Sequence, residues 1–174
     1  MRNLEAKFRL RDLNQARERA MAIGYSSRSV LRQRDTFFHV ANGKLKLREG
    51  GEESRAILIH YGRRETDTLQ LSNYEIVPIP DAEKTRAMLS DALGVIAEVR
   101  KERILLMRAN VRLHLDRVEG LGDFGEIEAV IADGDDPEAS RAAVKETLAA
   151  LQIGRDDLID ISYFEIAAQA AQPK

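Results

Sequence analysis

Polar, mostly charged residues recur at every second position in five separate segments: Asn3-Leu4-Glu5-Ala6-Lys7, Lys44-Leu45-Lys46-Leu47-Arg48, Lys101-Glu102-Arg103, Arg112-Leu113-His114-Leu115-Asp116 and Glu126-Ile127-Glu128. Period two is the spacing of one face of a β-strand, so each segment sends its ionisable groups to one side and mostly apolar groups to the other. Strands are predicted over about 2–10, 29–40, 43–49, 54–63, 69–78, 95–107, 110–118 and 124–132, eight in all, rich in Val, Ile, Leu, Phe and Tyr. Ala41-Asn42-Gly43, Glu49-Gly50-Gly51-Glu52 and Arg108-Ala109-Asn110 read as hairpin turns, because Gly and Asn tolerate positive φ. Neighbouring strands are therefore expected to be mostly antiparallel.

Helical spacing appears between the strands. Asp12 with Gln15 three residues later resembles a capping box, and Leu13, Ala16, Ala20 and Ile23 follow before Gly24, which predicts a helix over 13–23. A second helix is predicted from an Asp81 cap to Leu93, ended by Gly94. A third starts at Asp136-Pro137 and runs through Val144, Leu148 and Leu151 to Gly154. From about 156 to 171 a turn and a last helix are expected.

Length and composition narrow the picture. A chain of 174 residues is most simply one domain, 1–174, with a core large enough to need no staples. There is no cysteine and there are only three histidines, so disulfides, thiolate sites and an all-histidine zinc site are excluded or disfavoured, and any metal is expected to take oxygen ligands. Neither a signal-peptide core nor an apolar run of membrane-spanning length is present, from which a cytoplasmic protein is expected, with no membrane partner. Lys and Arg number 27 against 29 acidic residues, a formal net charge of −2, and aromatics are sparse. That balance argues against a nucleic-acid partner, which calls for a basic excess or a stacking platform.

Alternation alone allows an antiparallel sheet with one wet face. Amphipathic helices able to cover the apolar face, and enough strands to close a barrel, point instead to an α+β fold: an eight-stranded antiparallel β-barrel with a charged lumen and helices outside. Inside a lumen, Lys and Arg need carboxylates or an anionic ligand. Lys7, Lys46, Arg48, Lys101 and Arg103 would then cradle phosphates, and Glu5, Asp116, Glu126 and Glu128 would hold Mg²⁺ or Mn²⁺, which prefer oxygen.

At these same segments the chain resembles the CYTH superfamily of triphosphate tunnel metalloenzymes, which includes class IV adenylyl cyclases, thiamine triphosphatases and inorganic triphosphatases. Asn3 to Lys7 resembles the family's ExExK strand, Arg32-Gln33-Arg34-Asp35-Thr36-Phe37-Phe38 its Q-x-D-x-Y-F strand, Lys44 to Arg48 its basic L-R segment and Arg100 to Arg103 its K-x-R strand. Most specific is His114 to Glu128, very like the H-x-D-x-V-E-G-L-G-x-F-x-E-I-E stretch of class IV cyclase-like members. The resemblance implies a tunnel that binds a triphosphate along its axis. It implies phosphate contacts from Lys7, Lys46, Arg48, Lys101, Arg103 and one of Arg63 or Arg64, with Arg63 favoured. It also implies metal ligation by Glu5, Asp116, Glu126 and Glu128, and catalysis at Glu5 and Lys7.

Two positions depart from the family pattern: Asn3 stands where it has a glutamate, and Phe37 where it has tyrosine. Asn3 brings no negative charge to a metal, whereas Phe37 keeps a packing role. His114 is expected to line the lumen as a hydrogen-bond partner near Asp116, with acid–base work as the alternative. His39 and His60 are read as structural or surface residues, Glu75 as a solvated carboxylate, and Gly120-Leu121-Gly122 as a turn. Of Arg32/Arg34 and Gln33/Asp35, only one pair can face inward, and the sequence leaves the choice open.

The expected function is metal-dependent hydrolysis of a phosphoanhydride bond in a small-molecule triphosphate: ATP, thiamine triphosphate or tripolyphosphate. The alternatives are an adenylyl cyclase forming cyclic AMP and pyrophosphate, and a nucleotide or polyphosphate sensor without turnover. A homodimer is compatible with the sequence, which shows no distinctive interface patch.

Overall fold

The computed structural model describes residues 2–51, 55–63, 72–131, 137–161 and 163–170; for residues 2–3, 63, 72–74 and 167–170 the description is of the backbone. The strands are β1 (Arg2–Arg9), β2 (Ser26–Phe38), β3 (Lys44–Glu49), β4 (Ala56–Arg63), β5 (Ser72–Ile79), β6 (Val95–Arg108), β7 (Val111–Val118), β8 (Gly122–Ile131) and β9 (Leu158–Ile159). The helices are α1 (Leu13–Ala22), α2 (Ala82–Leu93), α3 (Pro137–Ala150) and α4 (Tyr163–Ala170). All strand pairs are antiparallel, in the order β5-β4-β3-β2-β6-β7-β8-β1-β9.

The eight long strands and three of the helices lie close to where the hydrophobic pattern puts them. Asp12 caps α1 by accepting from the Gln15 amide at 3.0 Å, and Asp81 caps α2 through the Lys84 amide at 2.9 Å. Gly24 and Gly94 follow with φ of 95° and 73°, the left-handed geometry that ends a helix. The proposed Asp136 cap lies outside the described residues. β2 starts at Ser26, three residues before the expected strand, and β9, a two-residue strand on β1, was not anticipated.

Alternation sorts each strand between two environments. Leu4, Ala6, Phe8, Leu106, Leu113, Leu115, Ile127 and Ala129 face outward and are sealed by Leu13, Ala16 and Ala20 of α1 and Val144 of α3. Leu45, Leu47 and Leu58 lie with Phe38, under Ala82 and Leu89 of α2. Burying a side chain such as Phe8 or Leu113 completely contributes about 1.5–3 kcal/mol, so the outward apolar rows fix the register. The intervening rows face the concave side. There β1 and β5 approach within 8 Å between Cα atoms without a hydrogen-bonded ladder, so the tunnel closes by curvature. Among the described residues, no helix is long and apolar enough to cross a membrane.

Candidate functional site

The concave face carries two copies of one charged arrangement. On β3, Lys46 and Arg48 share a face two residues apart, and Arg48 lies directly across the ladder from Asp35 of β2. Arg48 donates from Nε to Asp35 Oδ1 and from Nη2 to Oδ2, both at 2.7 Å, and Lys46 Nζ reaches Oδ2 at 3.3 Å. On β6, Lys101 and Arg103 repeat this against Asp116 of β7. Arg103 donates from Nε at 2.7 Å and from Nη2 at 2.6 Å, and Lys101 from Nζ at 3.3 Å. Four cations thus meet three carboxylates, Asp35, Asp116 and, through Arg103, Glu126, which leaves one positive charge in excess when both lysines are protonated.

Asp35, Lys101, Arg103 and Asp116 are buried, and Lys46 and Arg48 are largely so, each side chain 15% exposed. The Lys101, Arg103 and Asp116 side chains are 2%, 6% and 0% exposed, which rules out a wet charged face for these strands. Burial and then the neighbouring Arg103 bring the Lys101 amine down to about 7; burial and Arg48 bring Lys46 to about 8. Although burial opposes it, the surrounding cations hold Asp35 and Asp116 well below the usual carboxylate range. Each forked pair therefore stays ionised, while the lysines sit near the edge of losing their protons.

The acidic side of the lumen is built by β1, β7 and β8. Lys7 and Glu126 are direct ladder partners with Nζ 3.2 Å from Oε1, and Arg103 Nη2 donates to Glu126 Oε2 at 3.1 Å. Lys7, His114 and Arg103 keep Glu126 well below its ordinary range despite burial. Glu5 stands directly opposite Glu128. His114 pairs across the ladder with Glu126, its Nδ1 3.5 Å from Glu126 Oε2 and 3.8 Å from Glu128 Oε1. Ligand atoms of His114, Glu126 and Glu128 all lie within 4.8 Å of one another, a mixed nitrogen–oxygen set suited to a divalent ion. In this arrangement Asp116 is engaged by Arg103 and Lys101, and His114 addresses Glu126 and Glu128.

One end of the lumen is apolar. Tyr163, Phe164 and Ile166 of α4 pack on Phe37, Val99, Val118 and Phe124. The Phe37 and Phe164 rings stack at 4.9 Å, so Phe37 has a packing role without a hydroxyl. Lys7 and Lys101 lie over the Tyr163 ring at 4.7 and 5.0 Å, and Lys44 pairs with Glu165 at 2.9 Å. Burial, with Asp116 and Glu126 adding to it, drives the Tyr163 hydroxyl well above its usual range.

Ladder register settles the choice on β2. Gln33 and Asp35 face inward, while Arg34 is outside in a forked pair with Glu49 at 2.7 and 2.8 Å and Arg32 lies 3.6 Å from Glu102. Arg63 falls in the same alternate row as Ile59 and Tyr61, but its side chain, that of Asn3 and the whole of Arg64 lie outside what is described. His39, His60 and Glu75 are exposed, and His60 Nε2 lies 3.1 Å from the Asn42 carbonyl oxygen. Sequence reasoning missed Asp35 as the counter-ion of Lys46 and Arg48, although its alternation with Gln33 was the available signal. It also missed Tyr163, which carries no motif.

The CYTH domain model matches residues 1–163. A protein of Methanocaldococcus jannaschii named "Putative adenylate cyclase MJ0240" is 28% identical over 174 residues, covering 95% of this chain and 98% of that one. Among solved structures, PH1012 from Pyrococcus horikoshii superimposes with a TM-score of 0.82 at 20% identity, over 95% of this chain and 98% of its own. HpAC1 from Hippeastrum, described as a "putative adenylyl cyclase" with a dominant triphosphatase activity, does so with a TM-score of 0.68 at 16% identity, over 100% of this chain and 98% of its own.

Proposed function

Because this chain belongs to the CYTH domain family, whose members are typically triphosphatase- or adenylyl cyclase-like enzymes, we propose that it is a metal-dependent enzyme that hydrolyses a phosphoanhydride bond of a triphosphate held in its lumen. The observation that carries this reading is the pair of Lys-x-Arg clamps, four largely buried cations closed on Asp35 and Asp116, with Glu126 as a third carboxylate on Arg103. A triphosphate offers several close anionic oxygens that answer the excess charge, with forked contacts from Arg48 and Arg103 and point charges from Lys46 and Lys101. Asp35 and Asp116 hold the guanidinium groups in place before the ligand arrives, so little reorganisation opposes binding.

On this reading Glu5, Glu126 and Glu128 supply carboxylates to Mg²⁺ or Mn²⁺, with His114 beside them. A divalent ion there supplies neutralisation of the transferring phosphoryl group and a more acidic water. Lys7, paired with Glu126, orients the reacting phosphate together with Glu5. Cyclisation of ATP is a second reading. It is favoured by the stretch from His114 to Glu128 and by the name of the M. jannaschii relative.

Incubation with tripolyphosphate, ATP and thiamine triphosphate, each with Mg²⁺ or Mn²⁺, separates the readings by phosphorus NMR. Orthophosphate release that disappears in the Glu126→Gln/Glu128→Gln double variant is the expected result, while cyclic AMP with pyrophosphate would assign a cyclase. Tight binding without turnover would make the protein a sensor, with Asn3 the first residue to restore to glutamate.

A further inference from the structure

His114 is held where its imidazole has few options. Leu113 and Leu115 on either side are fully buried in the outer core, so the strand's period fixes the histidine on the lumen face. Its side chain is 8% exposed, and Nδ1 is buried without a hydrogen-bond partner. Leaving such an atom unsatisfied costs about 1–3 kcal/mol, which calls for a reason.

The surroundings of Nδ1 supply one. Glu126 Oε2 and Glu128 Oε1, at 3.5 and 3.8 Å, are too far for good hydrogen bonds. Around a first-row divalent ion with bonds of about 2.1 Å, neighbouring ligand atoms lie roughly 3.0 Å apart at right angles and roughly 3.4 Å apart at tetrahedral angles. The two histidine–carboxylate distances therefore need only a small inward adjustment, while the group as a whole, within 4.8 Å, has to contract further to meet one ion. Glu128 is also the direct ladder partner of Glu5, which brings a further carboxylate beside the group. Arg103 and Lys7, which contact Glu126 here, are the groups expected to turn towards phosphate when the ligand enters.

We propose that His114 is a metal ligand, completing a mixed nitrogen–oxygen site with Glu126 and Glu128, and that its imidazole makes the site select Mn²⁺ over Mg²⁺. Mg²⁺ prefers an all-oxygen shell, whereas an imidazole nitrogen favours first-row transition ions. This rests on the proposed metal–triphosphate chemistry of the lumen and names its ion.

The test is electron spin-echo spectroscopy of Mn²⁺ bound to the full chain in the presence of a methylene-bridged triphosphate, which resists hydrolysis and contains no nitrogen. Wild-type protein is expected to show nitrogen modulation from a bound imidazole, changed in character by ¹⁵N-histidine labelling and absent in His114→Gln. In competition with Mg²⁺, that variant should lose its preference for Mn²⁺ by about tenfold or more. Labelled protein carrying His39→Gln and His60→Gln keeps His114 as its one histidine, so it assigns the nitrogen even if the His114→Gln variant fails to fold. Mn²⁺ bound to protein without nitrogen modulation would overturn the role of His114 while leaving the triphosphate reading intact. No protein-bound Mn²⁺ beyond the free metal–triphosphate chelate would overturn both.

Discussion

Asp35→Asn tests the clamp architecture directly, because it removes one charge and leaves the shape almost unchanged. The Asp35 carboxylate is 4% exposed and accepts two forked bonds from Arg48 at 2.7 Å and one contact from Lys46 at 3.3 Å. An asparagine keeps one acceptor for Arg48 Nε, but its amide hydrogens confront the second guanidinium donor. Two largely buried cations then lose their counter-charge. Breaking a buried ion pair from one side costs about 3–5 kcal/mol. For a chain of this size each kcal/mol shifts the melting temperature by about 2–4 °C, so a fall of roughly 6–20 °C is expected by differential scanning calorimetry without ligand. Tripolyphosphate should restore stability more strongly in the variant than in the wild type, because its oxygens replace the lost carboxylate. A ligand at 100 times its dissociation constant contributes about 2.7 kcal/mol. A melting temperature within about 2 °C of wild type, or equal protection of both proteins by tripolyphosphate, would refute the reasoning.

Lys101→Met should fold, since it removes a costly buried charge, yet weaken metal-free tripolyphosphate binding at pH 6.5 by at least about tenfold in calorimetric titration. With Lys101 at about 7 and Lys46 at about 8, affinity should fall as pH rises through 7 to 9, by up to about tenfold per unit for each proton taken up on binding. Ligand-free stability should move the other way over that window: the unfolded lysines still hold protons that the folded ones have lost, so unfolding becomes harder as pH rises. Asp35 and Asp116, both depressed, add stability at neutral pH that is lost as pH falls below the ordinary carboxylate range, giving an acid limb visible in urea titrations. Gly125→Ala should cost about 1–3 kcal/mol in the same titrations, because the added methyl falls on the fully buried Phe8 ring.

The long strands were legible because their outward rows are strongly apolar and their inward rows strongly charged, so Leu113, Leu115 and Ile127 on one side fix His114, Asp116 and Glu126 on the other. Short or ambiguous segments were not. In β2 both alternate rows carry charge, and only the pairing of Asp35 with Arg48 and Val99, distant in sequence, decides which row faces in. Strand β9 is two residues long and exists because β1 offers it an edge. The placement of Tyr163 beneath Lys7 and Lys101 depends on apolar contacts with Phe124 and Val118 that local pattern does not encode. His114 was readable as a lumen residue, but its approach to Glu126 and Glu128 follows from the β7–β8 register.

A crystal structure with the methylene-bridged triphosphate and Mn²⁺ tests the central claim most directly. The account predicts phosphate oxygens within hydrogen-bonding distance of Lys46, Arg48, Lys101 and Arg103, with the ion beside Glu126 and Glu128. A groove of about 550 Å³ over β2 and β6 is the rival seat, bordered by Arg32, Arg34, Arg100 and Arg117 together with Glu49, Glu102 and Glu119, and reaching Gln33 and Lys101. A triphosphate seated there, with no phosphate oxygen near Lys46, Arg48 and Arg103, would contradict it.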